Sequence, residues 1–293
     1  MDQTLDDPRF DRGEGVAMNS RELMEKLFDG CQGAPHDYSD TCDTLKCGDA
    51  EREIHKVAVT MFPTPEVIRA VHRWGADLLI VHEPTFYHHY EVKAENDPVI
   101  EAKEKLLAET GLVVWRFHDH PHVKAFDMIC DGELAYLGLE GEWLGKVRFA
   151  VNRYRLRKPM TPREIARLIE EKLHIAHVRI CGAADAPCTK LALGFGSPGS
   201  MAQQLRDPEV EVAIAGEVCE WQDCEYARDA SQLGFRKALL VLGHAGSERD
   251  GMRLLTERMK KAFPDLETRY FECGEAYTYS EIPPTGNETA LPR

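Results

Sequence analysis

No stretch of this 293-residue chain approaches the roughly 18 consecutive apolar residues of a membrane-spanning helix, so none is expected. Basic residues are in deficit. Lys and Arg total 36 against 50 Asp and Glu, giving a formal net charge of −14. That balance argues against wrapping a phosphate backbone or lying on an anionic membrane, since both need a basic face. The nine cysteines include no C-x-x-C pair, which removes the zinc-ribbon and thioredoxin-like readings and leaves free thiols as the expectation. Residues Met1 to Gly15 lack the basic-then-apolar pattern of a secretion signal, so a cytoplasmic protein is expected. Neither an internal repeat, a low-complexity tract nor a G-x-S-x-G nucleophile elbow occurs.

What is present is ordinary globular material, 43% hydrophobic and 29% charged, enough for about two domains at roughly 150 residues each. Residues 1–17 and 283–293 read as disordered. Asn19 with Glu22 caps a first helix. Lys56–Phe62 reads as a strand, and Thr64-Pro65 opens a helix that Gly75 closes. Asp77–Val81 is a short buried strand. Asp97-Pro98 opens the next helix, Gly111 ends it, and Leu112–Phe117 is a third strand. This β-α-β-α-β order predicts a parallel sheet covered by helices. The middle differs. Lys146–Leu156 alternates as one strand, Thr161 with Glu164 caps a helix, and strands follow near 178–181, 190–195 and 210–215. After a helix over 222–233, the run Lys237–Leu242 returns to the earlier style, and the helix 249–263 and strand 268–273 finish the chain. Two α/β domains are expected: a discontinuous one over 18–141 and 235–282, and a second over 142–234.

Three histidine-bearing segments each follow an expected strand. They are His82-Glu83-Pro84, His118-Asp119-His120-Pro121-His122, and Gly243-His244-Ala245-Gly246-Ser247-Glu248. In open α/β sheets, ligands gather beyond the carboxyl ends of strands, where all three would emerge. Imidazole and carboxylate are the donors that zinc, iron, manganese and nickel accept. Six or more such donors exceed what one tetrahedral ion needs, so a two-metal site is expected. His88, His89, Tyr87 and Tyr90 read as loop or interface residues.

Together these segments resemble the Nif-three-like dinuclear-metal hexameric proteins, widely labelled type-two GTP cyclohydrolase I. His82-Glu83-Pro84 is similar to that family's His-His-Pro, His118 to His122 to its His-x-x-x-Asp, and Gly243 to Glu248 to its Gly-His-x-x-Ser/Thr-Glu. Ala215-Gly216-Glu217 is similar to its Thr-Gly-Glu, and Asp43-Thr44-Leu45 with Gly48 falls in the same order. The resemblance implies metal ligands at His82, His244 and Glu248 and a site position at His118. Two positions depart from it: Glu83 stands for a histidine and His122 for an aspartate. This exchange preserves donor count and ligand charge, so both are expected to bind, with Asp119 and His120 as alternatives. The family's later histidine falls on Trp221.

The resemblance implies two divalent transition-metal ions per chain, a homohexameric ring and a small-molecule substrate. The expected chemistry is hydrolysis by a metal-bridged water, with His118 or Glu217 as general base or acid. The alternative is a non-catalytic metal carrier, insertion factor or regulatory scaffold. Gly194 to Gly199 satisfies G-x-G-x-x-G. Asp207-Pro208, however, cuts the following helix too short for a dinucleotide site. The loop could instead hold an anionic substrate group on backbone N–H groups.

Overall fold

The computed structural model describes residues 18–31, 41–123, 127–148 and 150–280; the ends expected to be disordered lie outside them. Local signals set most elements. Asn19 and Glu22 form a reciprocal capping box on α1 (Ser20–Gly30). Thr64 caps α2 (Pro65–Trp74), and Gly75 ends it at φ 80°. Asp97 caps α3 (Pro98–Thr110). The strands β1 (Leu45–Cys47), β2 (Lys56–Thr60), β3 (Leu78–Val81), β4 (Val113–Arg116) and, from the far end of the chain, β11 (Glu267–Tyr270) form one sheet in the order β1-β4-β3-β2-β11. All its pairings are parallel except that of the edge strand β1.

Alternate residues of β2, β3 and β4 face opposite layers. Val57, Val59, Leu78, Ile80, Val113 and Trp115 pack with α1 and with α9 (Arg249–Ala262). Ala58, Leu79, Val81 and Val114 pack with α2 and α3. Burial on both faces is why these strands read as unbroken apolar runs.

A second, six-stranded sheet has the order β5-β6-β8-β9-β10-β7, from β5 (Gly141–Arg148), β6 (Val151–Met160), β7 (Arg179–Gly182), β8 (Cys188–Gly194), β9 (Val212–Ala215) and β10 (Ala238–Val241). Two expectations change here. The single strand expected over 146–156 is a hairpin, β5 against β6. Its turn carries Ala150 at φ 55°, where a glycine or asparagine would have announced it. The run Lys237–Leu242, expected with the first sheet, pairs in parallel with β9 and antiparallel with β7. A four-residue buried run such as Ala-Leu-Leu-Val carries no information about which sheet receives it. The chain therefore leaves the second sheet after Val241 and not near Gly234.

Helices α5 (Met128–Leu137) and α6 (Pro162–Leu173) cover one face of this second sheet. The other face carries α7 (Ala202–Leu205), of four residues as the Asp207-Pro208 break predicts, and α8 (Glu225–Gln232). A π-helical turn at Glu220–Cys224 leads into α8. Among the described residues, which include all nine cysteines, no disulfide forms, and no helix is long and apolar enough to cross a membrane.

The two layers meet where α5 crosses α9. A Cβ at Gly132 would stand 2.4 Å from Gly251 Cα and 2.7 Å from Asp250 O, and a Cβ at Gly251 would stand 2.7 Å from Ile129 Cα. Backbone faces backbone here, so nothing can rotate away. Gly132→Ala is expected to cost about 1–3 kcal/mol by overpacking, read as a lowered urea midpoint with an unchanged slope.

Candidate metal centre

The carboxyl ends of β3 and β4 and the exit of β10 converge on one cleft between the sheets. His82 and Glu83 follow β3 directly. His118 follows β4 by two residues, and the short helix α4 (Asp119–Val123) sets His122 one turn beyond it. Gly243, at φ 99°, turns the chain out of β10 into His244. A 3-10 turn at Ala245–Ser247 then delivers Glu248 to the start of α9.

Four imidazoles share one arrangement. Each places Nδ1 against an outward acceptor: His82 on Phe117 O at 3.0 Å, His118 on Asp119 Oδ1 at 2.9 Å, His122 on Asp127 Oδ2 at 3.0 Å, and His244 near Glu217 Oε1 at 3.2 Å. A carbonyl or carboxylate only accepts, so the Nδ1 facing it carries the proton. At His82, His118 and His122 the lone pair then falls on Nε2, whereas His244 faces carboxylates with both nitrogens and donates from both until a cation takes its Nε2. The Nε2 atoms turn inward. Those of His82 and His122 stand 3.2 Å apart, and that of His118 lies 3.7 Å from Glu83 Oε1. Outward anchoring of this kind is how metal-ligating histidines are held.

Two carboxylates complete the interior. Glu83 Oε1 lies 3.0 Å from His244 Nε2. Glu248 spans the cluster: Oε1 is 3.5 Å from His122 Nε2, and Oε2 is 3.1 Å from His244 Nε2 and 3.7 Å from His82 Nε2. Oε2 is buried and accepts no aligned hydrogen bond. Ligating atoms of His82, His118 and His122 all lie within 4.8 Å of one another, as do those of His82, Glu83 and Glu248. Two donor clusters suited to metal coordination therefore share His82. Converging lone pairs and an orphaned carboxylate oxygen fit bound cations.

Electrostatics follow the same geometry. Burial, reinforced by the charges of His118 and His122, pushes His82 well below its ordinary pKa. Burial would raise Glu83, but the hydrogen bond from His244 and the nearby imidazoles hold it well below the carboxylate range. His244 moves up despite burial because Glu217, Glu248 and Glu83 all face it. His122 also moves up against its burial, through Asp127 and Glu248. The interior is thus organised around positive charge.

The structure brings His82, Glu83, His118, His122, His244 and Glu248 together, with Glu217 bordering them at His244. The two alternatives lie elsewhere. Asp119 is committed to His118, Thr41 and the Cys42 N–H. His120 is bonded to Asp43 Oδ2 at 2.6 Å and stacked on Phe28. Trp221 is 77% exposed. In the Gly194–Gly199 loop, the Gly196 N–H is spent on Ser247 Oγ, and a Cβ there would meet Glu248 Oε1 at 2.1 Å. The loop makes room for Glu248, and that N–H is not offered to an anion.

Sequence reasoning missed three supports. Asp127 anchors His122. Asp43 accepts the backbone N–H groups of His118, Asp119 and His120, which fixes the start of α4. Fully buried Arg116 donates to His82 O and lies 3.5 Å from Glu83 Oε2. Asp43 was legible as a motif residue, but nothing local marks the roles of Asp127 and Arg116.

A cavity of about 400 Å³ opens beside the cluster, lined among others by Phe62, Arg179, Glu217, His244, Glu275 and Tyr277. Asp127→Asn removes the anionic acceptor that sets the His122 ring. It is expected to weaken metal affinity by about 10–100-fold in chelator competition, with the fold retained by circular dichroism.

Several known proteins are similar to this chain. A curated relative, the "GTP cyclohydrolase 1 type 2 homolog" of Clostridium perfringens, is 24% identical over 239 residues, covering 79% of this chain and 87% of its own length. The solved structure of protein ybgI, described as of unknown function, matches at a TM-score of 0.73 and 22% identity over 88% of this chain and 99% of that one. Reduced HcgD from Methanocaldococcus jannaschii matches at 0.66 and 19% identity, over 88% and 99%. The family model for Duf34/NIF3 (NGG1p interacting factor 3) matches residues 18–275, and with nearly all of the described fold inside that match, the chain belongs to the Duf34/NIF3 family.

Proposed function

We propose that this protein is a metal-dependent hydrolase with a dinuclear centre. The observation that carries the reading is the set of four outward-anchored imidazoles. Three of them, His82, His122 and His244, converge on Glu248, whose two oxygens face different partners, while His118 faces Glu83. His82 and His122 would hold one divalent ion and Glu83 and His244 the other, with Glu248 shared between them. His118 lies alongside the first set. Zinc, iron, manganese or nickel suits such mixed N and O donors. Two such ions supply Lewis acidity and water made acidic near neutral pH.

This chain's own residues supply the rest. His118, held by Asp119 and only partly buried, is placed to move a proton at Nε2. Glu217 fixes the His244 ring from the cavity wall; its carboxyl is held below the ordinary range by the hydrogen bond from His244, which suits a base or an orienting group better than an acid. Phe62 meets the His244 ring edge-on at 5.6 Å and lines the same cavity.

The cavity's size selects a small molecule. Its lining offers Arg179, already paired with Glu220, against the carboxylates of Glu217 and Glu275. That balance disfavours a triphosphate, so we assign an ester, amide or cyclic amidine in place of GTP. The ring assembly implied by the resemblance belongs to this proposal. Exposed Trp221, Leu233 and Phe235 are apolar surface that such packing would cover, and sedimentation velocity should find six copies.

Elemental analysis of freshly purified protein is expected to find about two ions per chain, with fewer in both His244→Ala and Glu83→Ala. The ions should survive chelator washes, and the loaded protein should hydrolyse members of an ester, amide and amidine panel. Rapid loss of ions to an acceptor, with no turnover across the panel, would overturn the hydrolase and leave the carrier.

A further inference from the structure

Outside the inner cluster, a third group of donors surrounds His118. Ligating atoms of Cys42, His89 and His118 lie within 4.8 Å of one another. Each is held from behind. The Cys42 backbone N–H donates to Asp119 Oδ2 at 3.0 Å, and its thiol donates to Asp43 Oδ1 at 3.6 Å, a contact that a bound ion would replace. The His118 Nδ1 is anchored on Asp119. His89 stands on the loop that follows Glu83, and its carbonyl accepts a hydrogen bond from buried Arg116.

That loop is firmly built. Glu91 takes the backbone N–H groups of Thr85 and Phe86, both at 2.8 Å. Tyr87 and Glu91 adopt φ of 63° and 57°, a cost for non-glycine residues that persists only where the surroundings enforce it. The result sets the His89 ring edge-on to His118, with centroids 5.3 Å apart and planes at 79°. A nearby group, Cys42 with Asp43 and Asp119, is less suited to an ion. Both carboxylates there are consumed by backbone N–H groups and histidine Nδ1 atoms.

We propose that Cys42, His89 and His118 form an outer cation position, distinct from the dinuclear pair and selective for soft or borderline ions. Thiolate with two imidazoles favours Zn²⁺, Co²⁺ or Cu⁺ over Mg²⁺ or Ca²⁺. A tetrahedral ion needs its donors about 3.3–3.7 Å apart, a modest closure from the present spacing. Binding exchanges the thiol proton for a metal–sulfur bond and releases that proton. One nitrogen binds one ion, so occupation of the outer position takes His118 away from acid–base work. The proposal rests on the dinuclear reading only through that shared residue.

Cobalt(II) titration of the full chain separates the two. The inner donors are nitrogen and oxygen and give only visible ligand-field bands. The outer position adds a thiolate-to-cobalt charge-transfer band in the near ultraviolet. The expected result is that band in the wild type, absent in Cys42→Ser, at least halved in His89→Ala, and accompanied by a loss of about one ion per chain while the visible bands remain. Cobalt bound without the charge-transfer band, or a band that survives Cys42→Ser, would overturn the outer position and leave the inner centre standing. No cobalt bound at all would overturn both.

Discussion

Everything at this site depends on where four imidazole protons sit. Phe117 O, Asp119, Asp127 and Glu217 each claim an Nδ1, and that single constraint turns four Nε2 atoms inward, those of His82, His118 and His122 as lone pairs. His82 and His122 then face each other at 3.2 Å, a contact between two acceptors unless positive charge comes between them. Buried Glu248 adds an oxygen with no aligned donor. The fold meets a concentration of lone pairs and carboxylate charge that only cations or protons can neutralise, and it holds that concentration in place from outside.

The scaffold explains why the arrangement does not relax. His82 and His118 sit at the ends of adjacent parallel strands whose register, Val81 opposite Arg116, sets their spacing. His244 comes from the other sheet, so the cleft needs the two sheets fixed against each other. The glycine-to-glycine crossing of α5 and α9 does this, because Asp127 lies at the start of α5 and Glu248 at the start of α9. Gly196 and Gly216 then clear the space around Glu248 and Ser247. Side chains at those positions would fill the volume that the carboxylate and its neighbours use.

Much of this was legible in the sequence because it was local. Capping boxes, Pro at first helical positions and glycines after helices marked the elements. Placing each histidine segment just past an apolar run marked the cleft. What stayed hidden was long-range. β10 joined the second sheet through backbone pairing that no residue type announces. The hairpin at Ala150 lacked a turn residue. Asp127 and Arg116 act across the fold on side chains already identified, and a carboxylate or guanidinium alone does not show what it orients. Between His118 and His122 the sequence offered four interchangeable donors. The helical turn of α4 resolved them, since residues one turn apart share a face while His120 points to Asp43.

The places of Glu83 and His122 in the cluster have a consequence that donor counting alone conceals. His122 lies with His82 and His118, so one half of the centre is rich in nitrogen. Glu83 lies with His244 and Glu248, so the other half concentrates two carboxylates around one imidazole. The carboxylate charge is therefore unevenly distributed across the cluster. Imidazole-rich positions favour zinc, copper or nickel, whereas carboxylate-rich positions accept harder ions such as manganese. On the dinuclear reading the two ions would then sit in unequal fields. Glu83 and Glu248 would neutralise an ion on their side more fully, whereas His82 and His122, as neutral donors, would leave an ion on theirs with more of its charge. Arg116, placed 3.5 Å from Glu83 Oε2 in the buried interior, moderates the carboxylate-rich half and keeps Glu83 turned toward His244.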